Sequence, residues 1–481
     1  MFFFSKNNRL NELVSSIKKA KKPHQVRGSF SFQLVSSFAL LVTSAVCSAE
    51  FQAAEISSAP LLTYSLASGE TNDEASAKDS SKTSDKENSA PKVSILFDGL
   101  HKPWGIAALP NERFIITERN GALRIWDNQT STMSNANKQL EDSVYESGQG
   151  GMLDVIAHPK FAENHWVYVT FASGHKFSNG TTLVRAKIVL NQSQPSNNKS
   201  SKPFGFELTD IKFLFRASPQ KAATYHFAGR MAFLPDQTLV FGVGDGYSYM
   251  DDAQKLDSHL GKIIRLNDDG SVPADNPFIK TKGALPEIYS YGHRNPQGLF
   301  YDNQRELLFS NEHGPKGGDE INIIKPKLNY GWPKITYGID YTGFEITPHH
   351  QMEGLESPLV NWTPSIAPGS MLVYSGEEFP EFKGQLVNTA LKYREMRVVS
   401  LKPSENSNSN SNSNSNSKGS AENVIQSGEF VSKSHSGLML DSEQTFLKSF
   451  DERLRDITED KQGRLLLLTD SGKLIRLSKG D

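Results

Sequence analysis

The 481-residue sequence contains a single cysteine, Cys47. One thiol excludes an intrachain disulfide, and its place in the N-terminal segment counts against thiol catalysis. An excess of one charge sign is lacking too: 52 Lys and Arg stand against 54 Asp and Glu, a formal net charge of −2. No succession of long apolar runs and no sustained 3.6-residue periodicity is present, which excludes a polytopic membrane protein and a coiled coil. Several catalytic signatures are missing as well: there is no GxSxG elbow, no Walker-type lysine loop and no HExxH helix. What is there is 36 Gly, 23 Pro, 22% charged and 37% apolar residues, the make-up of a soluble globular protein with many turns.

The basic residues are unevenly placed. Lys6, Arg9, Lys18, Lys19, Lys21, Lys22 and Arg27 precede a stretch without charge over residues 28–49, and Glu12 is the one acid among them. Residues 34–47 are mostly apolar, and Cys47-Ser48-Ala49 puts small residues where a signal peptidase cuts. Residues 1–49 therefore read as a signal peptide, which predicts a periplasmic protein with no stable membrane insertion after cleavage. Two alternatives stay open: an uncleaved anchor, weakened by the Ser and Thr in the stretch, and lipidation of Cys47, for which Val46 is a poor neighbour. Without the leader the charge is about −8, which argues against nucleic acid or anionic membrane as the main partner.

Residues 50–92 read as a linker, because residues 67–91 (ASGETNDEASAKDSSKTSDKENSAP) have almost nothing to bury. Residues 93–481 read as the folded domain. Within it, residues 404–423 form a low-complexity Ser-Asn tract between two strand-like segments, an inserted loop rather than a boundary. The rest is short strands and turns. Trp104-Gly105-Ile106-Ala107-Ala108-Leu109 leads to RFIITER, the Asn120-Gly121 turn and another strand. That pattern returns from Met231, from Gln297 and from Arg455, with looser copies from Gly151 and Gly384. Six units of about 65 residues predict an all-β fold, a six-bladed β-propeller of four-stranded antiparallel blades. The segment VSILF at residues 93–97 is predicted to join the last blade beside residues 473–477 and close the ring.

Four polar clusters fall in turns at comparable places in these units. They are Ser147-Gly148-Gln149-Gly150-Gly151, Tyr225-His226-Phe227-Ala228-Gly229-Arg230, Gly292-His293-Arg294-Asn295-Pro296-Gln297-Gly298, and the run from Glu312-His313-Gly314-Pro315 to Asp319-Glu320. Any one of them could be a glycine-rich turn satisfying its own backbone. Four in register predict one site at one mouth of the central channel. Gly242-Val243-Gly244-Asp245-Gly246 has the look of a dinucleotide loop but opens no helix, and residues 268–275 lack the spacing of an EF-hand.

At these clusters, together with His101-Lys102-Pro103-Trp104-Gly105, Gly261-Lys262-Ile263-Ile264-Arg265-Leu266 and Asn329-Tyr330-Gly331-Trp332-Pro333, the chain resembles the soluble quinoprotein sugar dehydrogenases. These are the glucose/sorbosone dehydrogenase-type propellers that use pyrroloquinoline quinone (PQQ) and Ca2+, here with the aldose sugar dehydrogenase branch as the nearer likeness. The resemblance covers about residues 93–477. It implies oxidation of an aldose at its anomeric carbon to a lactone, with electrons passed to an external acceptor such as a quinone, a cytochrome or a dye. It assigns His226 as general base and sets Arg294 and Asn295 against the quinone. Gln149, Ser365, Lys392, Arg453 and Arg455 become further cofactor contacts. The carbonyls of Gly314 and Pro315 become calcium ligands, and Glu320 and Tyr330 a second calcium site. The physical chemistry agrees, since three cofactor carboxylates call for a basic cage and a hard cation suits carbonyl oxygens. Two departures stand out: Ala228 where relatives usually have Gly, and Tyr225 where they commonly have Asp or Asn. A lactonase-like hydrolase and a decayed propeller that binds a glycan or protein are the rival readings. The first would need an acidic metal cage at the mouth, and the second would fit better had Lys392 or the Arg453/Arg455 pair been lost.

Overall fold

The computed structural model describes residues 91–191, 204–404 and 437–479. The expected signal, nearly all of the linker and most of the Ser-Asn tract lie outside the described residues. Six four-stranded sheets follow one another along the chain, all paired antiparallel. This is the six-bladed propeller the repeats predicted.

Why these segments are strands is visible in their burial. Phe114-Ile115-Ile116-Thr117 and Leu465-Leu466-Leu467-Leu468 are aromatic, β-branched or aliphatic throughout and almost wholly buried. Neither shows the in–out alternation of a half-exposed sheet, because each blade is covered on both faces. Alternate side chains go to different neighbours: Ile115 packs with Val155 and Val169 of the next blade, while Phe114 and Ile116 pack with Leu466 and Leu468 of the last. Leu465 and Leu467 turn the other way, toward Leu372 and Val387. Six such interfaces make a ring with no single central core.

The ring closes as the sequence indicated. Lys92–Asp98 pairs with Lys473–Ser478, with Val93 opposite Leu477 and Ile95 opposite Ile475. The strand begins at Lys92, one residue before the expected domain start. The strands flanking the Ser-Asn tract, Glu395–Pro403 and Leu438–Phe446, pair with each other, Pro403 opposite Leu438. The tract therefore joins two outer strands of one blade.

The innermost strands position the site. They are Pro103–Leu109, Met152–Ala157, Ala228–Phe233, Pro296–Asp302, Pro368–Val373 and Leu454–Glu459. Each one breaks register within its first residues, between Pro103 and Ile106, Met152 and Val155, Ala228 and Met231, Pro296 and Gly298, Pro368 and Ser370, and Leu454 and Asp456. A bulge re-aims a side chain that regular pairing would send between blades. Six bulges at one level therefore turn six sets of side chains toward the axis.

Arg230 sits in one of those bulges and ties the whole ring. Its guanidinium donates to Asp154 Oδ1 (2.9 Å), Asp456 Oδ2 (2.8 Å), the Gln297 carbonyl (2.8 Å) and the Gly369 carbonyl (3.1 Å). It also lies 4.3 Å over the Trp104 ring. With its own strand, that is all six blades. Burial, partly offset by Arg230, and then Asp456 on the same guanidinium push Asp154 up to about 7.

Candidate active site

At the mouth where the inner strands begin lies a cavity of about 420 Å3. Gln149, Asn295, Arg453 and Arg455 line it, as does Arg119, with Asp470 as the one acidic residue. Arg453 Nε donates to Asp470 Oδ2 at 2.8 Å, and Arg455 donates to both Asp470 oxygens at 2.8 and 3.1 Å. Burial works to raise the Asp470 carboxyl, but the Arg455 and Arg453 guanidiniums outweigh it and hold it below the usual range. Burial and the charge of Arg455 lower Arg119. Two guanidiniums thus share one carboxylate with a third beside them, and the lining of the cavity carries surplus positive charge.

Arg119 also shapes the glycine turn beside it. Its side chain donates to the carbonyls of Gly148 and Gly150, which flank Gln149. A Cβ on Gly148, at φ +58°, would run into the Thr224 carbonyl, so only glycine fits this turn. Gln149 in turn accepts at Oε1 from the His226 backbone N–H (2.9 Å), and its own N–H donates to the Thr224 carbonyl (2.8 Å).

His226 is 5% exposed and stands just ahead of its inner strand, at φ +51°. Its Nδ1 is 2.6 Å from Asp245 Oδ1. Asp245 is fully buried, and it also accepts from the Tyr247 N–H (2.8 Å) and from Trp332 Nε1 (2.7 Å). Burial pulls Asp245 up, while the His226 hydrogen bond, the charge of Arg294 and the Tyr247 N–H pull it further down, so it is ionised at neutral pH. An ionised partner fixes the tautomer: His226 carries its proton on Nδ1 and presents Nε2 as a base. Burial lowers the His226 pKa below the ordinary histidine value, and Asp245 only partly opposes it. The imidazole is therefore neutral near pH 7. Behind it, Lys221 Nζ donates to the Ala223 and Tyr225 carbonyls (2.9 and 2.8 Å) and lies 3.4 Å over the Phe227 ring, which pins the preceding loop.

The remaining predicted residues gather unevenly. Arg294 donates to the Gly314 carbonyl (2.6 Å) and the His313 carbonyl (3.2 Å), and its buried Nε has no partner among the described residues. Asn295 accepts from the Ala228 N–H at 3.2 Å. Ser365 Oγ accepts from Gly317 N–H (2.9 Å) and donates to the Pro315 carbonyl (3.3 Å), so it braces the Gly314-Pro315 turn. Asp319 accepts from the Gly314 and Ala367 N–H groups, and burial raises it to about 6. Lys392 is different. It is exposed, with Nζ 5.1 Å over the Tyr393 ring, and its neighbour Leu391 is what lines the cavity. Tyr330 spends its hydroxyl between the Ile323 carbonyl and the Lys325 N–H, which leaves its backbone carbonyl as the oxygen through which it would meet a metal. Half-buried Glu320 is pushed up to about 8 by desolvation and by Glu312 beside it.

Sequence reasoning missed Arg119, Asp470 and Asp245. For Asp245 a signal existed, since an acid in a glycine-flanked turn ends the second strand of the blade that His226 opens.

The profile of the family described as glucose/sorbosone dehydrogenase matches residues 100–476. Aldose sugar dehydrogenase YliI of Escherichia coli (strain K12) is 34% identical over 393 residues, covering 80% of this chain and 92% of that protein. The crystal structure of the soluble aldose sugar dehydrogenase of Escherichia coli in its apo form is 33% identical. It superposes with a TM-score of 0.66 and covers 81% of this chain and all of that one. The PQQ-bound aldose sugar dehydrogenase of Streptomyces coelicolor is 25% identical with a TM-score of 0.57, over 81% of this chain and 98% of that one. With the fold, the clusters and the extent of the match in agreement, this chain belongs to the glucose/sorbosone dehydrogenase family.

Proposed function

We propose that the protein oxidises the anomeric hydroxyl of aldoses to lactones with PQQ and Ca2+, and passes the electrons to an external quinone, cytochrome or dye. The observation that supports this most is the neutral His226, clamped by ionised Asp245 and followed in the chain by Phe227 and Ala228, which line a cavity with surplus guanidinium charge. The residues fit the cofactor. Its three carboxylates would meet Arg119, Arg453 and Arg455, and the partnerless Arg294 Nε is a buried donor that calls for an acceptor. When bound, the cofactor supplies the quinone carbon that takes the sugar's hydride, with calcium polarising its carbonyl. The chain's own part is proton transfer and placement. His226 Nε2 takes the proton of the anomeric hydroxyl, and Asp245 stabilises the imidazolium that forms. Gln149, Arg294 and Asn295 define where the reacting ring lies.

For calcium the carbonyls of Gly314 and Pro315 are hard donors, braced by Asp319 and Ser365, and Arg294, which donates to the Gly314 carbonyl, would have to share or release it. They supply only part of the roughly six to eight oxygens that calcium takes, so cofactor oxygens would have to complete the shell. A second ion would relieve Glu320, whose ionisation is opposed by burial and by Glu312. Lys392, on the rim, would have to swing inward to reach a carboxylate. Residues 1–49 support export to the periplasm, and no described helix is long and apolar enough to cross a membrane.

The test is to strip the protein with chelator and add back calcium, PQQ or both, recording melting temperature and sugar-dependent dye reduction. Activity should return only with both, accompanied by a higher melting temperature through mass action. An Arg453→Ala, Arg455→Ala double variant should lose both gains. A protein whose melting and activity ignore PQQ would overturn this reading.

A further inference from the structure

Two tyrosines beside His226 stand out by their exposure. Tyr225 and Tyr247 are 48% and 44% exposed, although they flank a histidine that is almost wholly buried. Neither hydroxyl has a hydrogen-bond partner among the described residues. Tyr247 also holds a backbone conformation, φ +65°, that aromatic residues rarely adopt. It is kept there by its N–H, which donates to Asp245 Oδ1 at 2.8 Å, the same oxygen that faces His226. Strain of this kind persists only where the surroundings impose it, and it gathers at functional sites.

The two rings are linked to the base and to each other by ring contacts. Tyr247 meets the His226 imidazole edge-on, with centroids 5.3 Å apart and planes at 81°. Tyr225 lies next, 5.8 Å from Tyr247 and tilted by 52°. Its backbone is fixed by Lys221, which donates to the Tyr225 carbonyl. The result is two half-exposed aromatic rings beside the proposed proton acceptor. Nearly half of each residue stays in solvent, so core packing alone does not account for them.

We infer that Tyr225 and Tyr247 form a pyranose-stacking subsite. Tyr247 receives the sugar ring under oxidation, and Tyr225 receives the second ring of a reducing disaccharide. This rests on the sugar-oxidising reading above. A pyranose turns a face of weakly positive C–H groups toward the negative face of an aromatic ring. Its rim of hydroxyls can meet the two phenol groups, each able to donate and accept. The Tyr247 ring, in contact with the imidazole, is within one sugar's length of an anomeric hydroxyl held at His226 Nε2. A glycosidic bond on the far side of that ring carries the next ring outward, to the level of Tyr225.

The experiment compares wild type, Tyr247→Ala, Tyr225→Ala and the two Tyr→Phe variants, all loaded with PQQ and calcium, on glucose and maltose. Cofactor uptake is checked by absorbance and sugar contact by saturation-transfer NMR. Tyr247→Ala should raise KM about fivefold for both sugars with kcat within about twofold, the size of one aromatic contact. Tyr225→Ala should raise KM for maltose by a similar factor and leave glucose nearly unchanged. The Phe variants should restore most of each loss, and the NMR signal of the second maltose ring should fade only without the Tyr225 ring. If wild type oxidises both sugars while the Ala variants keep its KM values, this inference is wrong and the sugar-oxidising reading stands. If loaded wild type oxidises neither sugar, the reading beneath falls and the subsite falls with it.

Discussion

The two mouths of the central channel are built from the same six strands and behave differently. Where the strands begin, every ladder is bulged, and the smaller cavity gathers three guanidiniums against one carboxylate. Where they end, pairing is regular, and a larger space of about 770 Å3 is lined by Ile106, Val155, Met231, Leu299, Leu372 and Ile457, among others. Charges at that end are already answered: Arg305 donates to Asp302 at 2.7 Å, and Glu459 accepts from the Ser375 N–H and hydroxyl at 2.8 and 2.9 Å. Between the two sits Arg230. On the proposed reading, then, size is a poor guide to the site. What marks it is polar side chains turned inward by broken register, with donors left over.

That contrast can be broken at its divide. Arg230→Met should strand two buried carboxylates and release two carbonyls, costing about 3–5 kcal/mol of stability in chemical denaturation. A loss below about 1 kcal/mol would mean that the blades do not depend on this hub. At the working mouth, His226→Ala should lower kcat by about 10² or more while PQQ still binds, as for other general bases. Turnover within a few-fold of wild type would place the base elsewhere.

Asp245→Asn sharpens the same point through pH. Asp245 raises the pKa of His226 against the lowering effect of burial, so its removal should move the acid limb of the kcat profile to lower pH. The rate at the plateau should fall by about tenfold, because the imidazolium loses its partner. A limb that stays in place would show that another group titrates. The smallest effect belongs to the far mouth. Ser375→Ala should cost about 1 kcal/mol or less and leave sugar-dependent dye reduction as it was. A clear change in activity would mean that the two mouths communicate.

Much of this was legible in the chain itself. Turn residues at repeated intervals gave the six units, and the apolar strands between them gave the blades and their closure. Of the residues at the mouth, Gln149, His226, Arg294 and Asn295 stood out in their turns, whereas Arg453 and Arg455 came only from the family resemblance. Arg119 was hidden because it lies inside a strand motif, RFIITER, that reads as core. Asp470 and Asp245 were hidden because a lone acid in a turn looks like any other. Lys392 matched a motif by order, yet a single exposed turn carries it to the rim.

The sequence by itself determined the repeat, the strand content and the ring. These depend on local preference and on apolar patterning, both of which are written residue by residue. The tertiary structure alone decided which side chains face the axis and which partners they meet. Arg230 reads as a companion of His226 four residues away, but its partners Asp154 and Asp456 are 76 and 226 residues distant, and it sits beneath the site as the hub of the ring. A bulge turns a side chain by one step of the pleat, and ring closure brings remote turns within hydrogen-bonding distance. Neither operation leaves a period in the sequence.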